Sequence, residues 1–368
     1  MAKKLIIGQQ SALLIYRAAG AGIIALPEPY HAPVRPVECT TSIRSFRESG
    51  NVQSLLNSSV LDLVARSRNE LHRIKGCHTH LLSGDLPDGS FWSVGGDVLV
   101  TSPALTLLML SRTIARSSMG TLPPWCAGLV ENLGALGKKV ALAELASELC
   151  GIYSIAPNGR GELERHAPFI SLASMRTYLM ALTNRKSASL AHAALRAASP
   201  LSASPRETQL YLVMTSPWPF GYGLPLPNTN CPITLKGQSL DSDEDCRTVR
   251  FSDYFWKRKV LRNGRVRRPL VLEYDSDEFH TALAGLTDRQ LADQAERRDR
   301  IESQGNGFIR ITTEHTRNFS SFDDKMHQLS RLLRIDLPER SPDELEAARL
   351  FFASVFDSSR FRHVGIFQ

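Results

Sequence analysis

Two runs of strand-forming residues, Arg247 to Val260 and Pro269 to Tyr274, stand on either side of Arg262-Asn263-Gly264. A hairpin is the simplest structure for such a segment, because Asn and Gly accept the left-handed backbone that a tight turn between twisted strands requires. The turn then decides which residues face each other. Glu273 and Asp275 alternate with Tyr274 and so share one face of their strand. A two-residue turn at Asn263-Gly264 pairs Arg262 with Arg265, sets Asp253 opposite Tyr274 and puts its side chain on the wrong face. A three-residue turn, with Gly264 in the left-handed bulge position, pairs Leu261 with Arg265 and sets Asp253 opposite Glu273. Three carboxylates on one face therefore require the bulged turn, or an equivalent bulge in the first strand.

Such a group suits a hard divalent cation. Mg²⁺ takes oxygen ligands, commonly one or two carboxylates completed by phosphate and water, and a bound ion polarises phosphate and activates water. The same hairpin carries seven basic residues in twelve: Lys257, Arg258, Lys259, Arg262, Arg265, Arg267 and Arg268. A phosphate backbone is their natural counterpart, bound with release of counterions. Tyr254, Phe255 and Trp256 can stack on bases, although strand alternation buries one face of that stretch. The blander alternatives are strand-edge carboxylates neutralised by neighbouring arginines, and a basic loop that only solubilises. A formal charge of +7 over 368 residues agrees with a polyanionic partner without requiring one.

Helix signals frame the hairpin. Ser204-Pro205-Arg206-Glu207 is a capping box with proline at the first helical position, opening a helix from Thr208 to Thr215. Glu207 is thereby explained as a cap, and is also a candidate metal ligand. Pro217 to Asp245, rich in Pro, Gly and Asn, is expected to be a long loop. Thr287-Asp288-Arg289-Gln290 opens a helix that Gly305 and Gly307 end, and Phe308 to Thr312 then forms a strand. Within that helix Arg297 has the spacing to pair with Asp293. Two further helices follow, Phe322 to Leu333 and one from Ser341-Pro342-Asp343-Glu344.

Asp253, then Pro-Leu-Val-Leu-Glu273-Tyr-Asp275 with His280 soon after, resembles the core of Vsr-like endonuclease domains of the PD-(D/E)xK superfamily. The likeness continues through Asp293, Arg297 and Arg298 and the closing Gly307-Phe-Ile-Arg310-Ile-Thr. It implies an α/β restriction-endonuclease-like domain of αβββαβ order over residues 201–315. It also implies an Mg²⁺ (or Mn²⁺) site at Asp253 and Glu273, assisted by Glu207, with Asp275 or His280 positioning or activating water. Ser252 stands where proline is usual and Asp275 where lysine is usual; Glu-x-Asp with a nearby His occurs in the Vsr-like branch.

The whole chain is similar to bacterial proteins in which such a domain follows an AbiEi-antitoxin-like region. The supporting passages are Ser11-Ala-Leu-Leu-Ile-Tyr-Arg17, Leu82-Ser-Gly-Asp-Leu-Pro-Asp-Gly, Val100-Thr-Ser-Pro-Ala-Leu-Thr-Leu-Leu and Leu149-Cys-Gly-Ile-Tyr153. That likeness implies a setting in phage defence or toxin–antitoxin control and a cognate toxin, while the nuclease resemblance and the basic run point to a nucleic-acid partner, most simply DNA. The alternative it leaves open is an antitoxin-like DNA-binding regulator whose nuclease fold no longer turns over.

Residues 1–200 are expected to be mainly helical, with one small β patch between Arg73 and Val100, and residues 316–368 to form a helical extension. Ser102-Pro103, Lys138 to Leu149 and Lys186 to Ala198 mark helices, and Ser199-Pro200 ends the last of them. Cys77-His78-Thr79-His80 lacks the second ligand pair of a structural zinc site. The six scattered cysteines suit reduced thiols. Gln9, Gln10 and Arg17 interrupt the first apolar stretch, and no window suits a membrane span, so a cytoplasmic location without a membrane partner is expected.

Overall fold

The computed structural model describes residues 3–41, 60–71, 74–155, 163–182, 188–239, 242–261, 264, 266–275 and 288–357, with the backbone alone at 163–164, 235–250 and 288–295. The chain is mixed α/β and falls into two units, Met1–Pro200 with Asp357–Gln368, and Leu201–Phe356.

The first unit is built on a mixed sheet of seven strands: β1 (Lys4–Ile7), β2 (Glu28–Pro29), β3 (Cys39–Thr40), β4 (Leu61–Ala65), β5 (Cys77–Leu81), β6 (Phe91–Gly95) and β7 (Val98–Thr101). Their order is β2-β6-β7-β1-β4-β5, with β3 also on β1. The small β patch expected between Arg73 and Val100 is thus part of a larger sheet that also takes in β1 to β4. The central strands are short continuous apolar runs such as Leu5-Ile6-Ile7 and Val98-Leu99-Val100, buried throughout. Such runs show no alternation, so periodicity does not separate them from buried helix.

Helices α1 (Gln9–Gly20), α2 (Pro103–Arg116), α3 (Pro124–Leu149), α4 (Leu172–Met180) and α5 (Ser189–Ala197) accompany this sheet and a small hairpin of β8 (Tyr153–Ile155) and β9 (Leu163–Arg165). Ser102 caps α2 by accepting from the Leu105 N–H at 3.3 Å. Gly134, with φ +56°, breaks α3 into two segments. Arg17 of α1 and Glu148 of α3 form a buried bidentate pair, both contacts at 2.7 Å. No helix among the described residues is long and apolar enough to cross a membrane.

The second unit begins with α6 (Pro205–Thr215), followed by β10 (Asn228–Ser239), β11 (Ser242–Trp256), β12 (Lys259–Val260), β13 (Val266–Arg267) and β14 (Leu270–Asp275). Then come α7 (Asp288–Ser303), β15 (Gly307–Thr312), α8 (Thr313–Arg317), α9 (Phe319–Leu333) and α10 (Pro342–Phe356). The sheet order is β10-β11-β14-β15; β14 runs antiparallel to β11 and parallel to β15. Strand β10 replaces much of the loop expected from Pro217 to Asp245. Its Pro232 was part of the loop signal, and it is tolerated because β10 is an edge strand.

Sheet alternation gives this unit two distinct faces. Tyr254, Trp256, Leu270 and Leu272 are buried on one, where the Tyr254 hydroxyl donates to the Glu207 carbonyl of α6 at 2.5 Å. Val271 packs on the other with Ile301 of α7, Ile233, Phe255 and Phe308. The C-terminal helices belong to this unit and share an aromatic core: the Phe322 and Phe352 rings are 5.1 Å apart, and Phe352 and Phe356 are 4.9 Å apart. Arg206 of α6 donates to the Phe356 carbonyl at 2.7 Å.

Candidate functional site

The turn between β12 and β13 sets the site. Lys259 faces Arg267 and Val260 faces Val266, the register of the bulged turn. Gly264 has φ +74°, and its N–H donates to the Leu261 carbonyl at 3.0 Å. Arg262, Asn263 and Arg265 lie outside the described residues. The same register continues through Trp256 with Leu270 and Tyr254 with Leu272. One step further it places Asp253 opposite Glu273. There the backbone ladder gives way to a side chain: Asp253 Oδ2 accepts from the Tyr274 N–H at 2.7 Å.

Parallel pairing with β15 adds a basic neighbour, because Glu273 is in register with Arg310. Arg310 forms an ion pair with Asp275. From α7, Arg297 Nη2 stands 2.5 Å from Glu273 Oε1 and donates to the Phe251 carbonyl at 2.9 Å. The site thus comprises Asp253, Glu273 and Asp275 with two guanidinium groups, drawn from β11, β14, β15 and α7. Sequence reasoning gave Arg297 a place on its own helix, with Asp293, whose side chain lies outside the described residues. It gave Arg310 no role. Cross-strand register, read together with the alternation of Phe308, Arg310 and Thr312, carries the signal for Arg310.

Burial pushes the Glu273 carboxyl up to about 7, opposed by Arg297, raised further by Asp253 and Asp275, and lowered by Arg310. Desolvation and two like charges outweigh two cations. Glu273 Oε1 is buried and, despite its contact with Arg297, has no aligned hydrogen bond among the described residues. Near neutral pH this carboxyl is therefore poised between its charged and neutral forms, and additional positive charge favours the charged one.

The donor chemistry fits a hard cation in a limited way. Among the described residues no group of three His, Cys, Asp or Glu side chains is arranged to hold a metal ion. Two carboxylates suffice for Mg²⁺ when phosphate and water complete the shell, and Asp253 and Glu273 are the pair in register. Occupancy would require Arg297 to yield its contact with Glu273.

Glu207 is 8% exposed and closes the capping box of α6: Oε2 accepts from the Ala203 N–H at 2.8 Å and Oε1 from the Ser204 hydroxyl at 3.1 Å. Its helix packs on the Tyr254 face, opposite the carboxylates. His280 lies outside the described residues. Lys257, Arg258, Lys259 and Arg268 are exposed, whereas Arg267 is buried and donates to the Lys257 carbonyl at 2.9 Å. Comparison with protein-family models, curated proteins and solved structures finds no match.

Proposed function

We propose that the second unit is a metal-dependent phosphodiesterase acting on nucleic acid, a restriction-endonuclease-like domain of the Vsr-like type. The observation that carries this proposal is the register: it puts Asp253 beside Glu273, on the face shared with Asp275, in the two strands whose tip is basic. The element order of this unit supports the reading: α6 precedes the antiparallel strands β10, β11 and β14, and α7 precedes the parallel strand β15. Asp253 and Glu273 would hold Mg²⁺ or Mn²⁺, which when bound polarises the phosphate and lowers the pKa of water. Asp275 orients the water from the same face. Arg297 and Arg310 hold the carboxylates together while the site is resting and meet the phosphate when it arrives. Lys257, Arg258, Lys259 and Arg268 bind the backbone on either side. The resemblance of the first unit's sequence to AbiEi antitoxins suggests a cognate toxin as a further partner.

A second reading rests on one observation, the pairing of Glu273 and Asp275 with arginines. If those pairs persist on nucleic acid, the unit is a DNA-binding regulator without turnover. Labelled plasmid and single-stranded DNA, incubated with Mg²⁺, Mn²⁺ or EDTA, separate the two. Metal-dependent cutting lost in Asp253→Ala and in Glu273→Ala supports the enzyme. Salt-sensitive binding without cutting, unchanged in both variants, overturns it in favour of the regulator.

A further inference from the structure

Strands β12 and β13 pair with each other as a two-stranded ribbon apart from the four-stranded sheet. They continue β11 and β14, the strands that carry Asp253 and Glu273, so whatever the ribbon holds is tethered to the carboxylate site. Lys259 pairs with Arg267, Val260 pairs with Val266, and Gly264 lies in the turn that joins them. The base is fixed by Arg267, 7% exposed, through its bond to the Lys257 carbonyl.

The ribbon presents an apolar pair among cations. Val260 is 65% exposed and Val266 37% exposed. As a direct cross-strand pair they share one face. Lys257, Arg258, Lys259 and Arg268 are exposed around them. From Lys257 to Pro269 the sequence contains no acidic and no aromatic residue.

Each of these features narrows the partner. Cations with no acid among them select a polyanion. Without an aromatic side chain the ribbon offers no platform on which unpaired bases stack, so a duplex suits it better than a single strand. Paired strands lie about 4.8 Å apart, and the major groove of DNA, about 12 Å wide, admits a two-stranded ribbon. The major groove of an RNA duplex is too deep and narrow for side chains to read. Within the DNA groove an exposed valine pair needs an apolar counterpart, and the thymine C5-methyl is the apolar group that the base edges present there.

We infer that the β12–β13 ribbon enters the major groove of duplex DNA, with its cations on the flanking phosphates and Val260 and Val266 against thymine methyl groups. The inference rests on the reading of the second unit as acting on nucleic acid, and it adds the form of the substrate and a base preference. Equilibrium binding of the full chain, in EDTA, to an alternating adenine–thymine DNA duplex and to its deoxyuracil counterpart tests it, because the two duplexes differ in composition by the methyl group alone. The thymine duplex is expected to bind about fourfold tighter for each methyl covered. The double variant Val260→Ser, Val266→Ser is expected to lose that preference, and both positions are exposed, so the fold tolerates the change. Equal affinity for the two duplexes, or a preference that survives in the double variant, overturns the inference. Anionic phosphatidylserine vesicles bound through the valines, with duplex binding indifferent to them, would instead assign the ribbon to a membrane surface and overturn it too. Binding and metal-dependent cutting of single-stranded DNA without binding of either duplex overturns the groove contact and leaves the nuclease reading standing; binding of neither form of DNA removes both.

Discussion

Each unit pairs a Glu with an Arg from another element, buried in the first and half-buried in the second, and the two pairs differ in everything but composition. Glu148 meets Arg17 through two contacts of 2.7 Å, with side chains 6% and 7% exposed. The fork satisfies both carboxylate oxygens, and the pair joins α1 to α3. Glu273 meets Arg297 through one contact, is 17% exposed, and has Asp253 and Asp275 as charged neighbours. Burial of a matched pair makes a structural link. Burial of a carboxylate among others makes a group that holds a proton near neutrality, which is how functional sites are commonly recognised.

The largest test of this contrast removes one partner from the matched pair. Glu148→Ala leaves Arg17 buried without its counterion, and denaturant unfolding is expected to register a loss of about 3–5 kcal/mol. A loss below about 1 kcal/mol would erase the distinction between the two pairs. The pair in the second unit is expected to behave oppositely. Because the folded Glu273 pKa is raised, the native state holds a proton that the unfolded chain has released between about 4.5 and 7. Its contribution is thus complete below the lower value and is lost as pH rises through the upper one. Glu273→Gln removes this dependence and is expected to gain up to about 3 kcal/mol relative to the native protein at pH 8, and little at pH 4. Unfolding curves at the two pH values check both sign and size.

Arg297→Met sharpens the same point. Without its nearest cation the Glu273 carboxyl should titrate higher still, visible in carboxyl carbon shifts by NMR; a downward move would show that the arginine is not the dominant opposing charge. The smallest effect concerns the basic tip. Neutralising Lys257, Arg258 or Lys259 should lower the salt dependence of DNA binding by about one per lost phosphate contact while leaving stability unchanged. Arg267→Ala should instead cost stability, since that guanidinium fastens the Lys257 carbonyl.

Much of the second unit was legible because its signals are local. The capping boxes at Ser204 and Ser341 specify helix starts within four residues, and in the structure Ser204 Oγ accepts from the Glu207 N–H at 3.2 Å while Ser341 and Glu344 bond reciprocally. The hairpin was legible but its register was not: the sequence allows a two-residue or a three-residue turn, and the structure has the pairing of the second, which places Asp253 with respect to Glu273. The contacts of Arg297 with Glu273 and Phe251 escaped a local reading because they cross from a helix to the sheet. Where α7 rests along the strands depends on Ile301 meeting Val271, a contact no local pattern encodes.

What this chain's sequence determined alone was therefore whatever one turn or one cap can dictate: helix starts, the hairpin, and the face shared by Glu273 and Asp275, whereas the choice between the two turn registers, and with it the place of Asp253, came only with the structure. Tertiary structure decided the assembly of the seven-stranded sheet and the arginines that neutralise those carboxylates. Turns and caps act through bonds within a few residues. Strand order and ion pairing across elements instead depend on which apolar faces find each other, a choice made by the whole core at once.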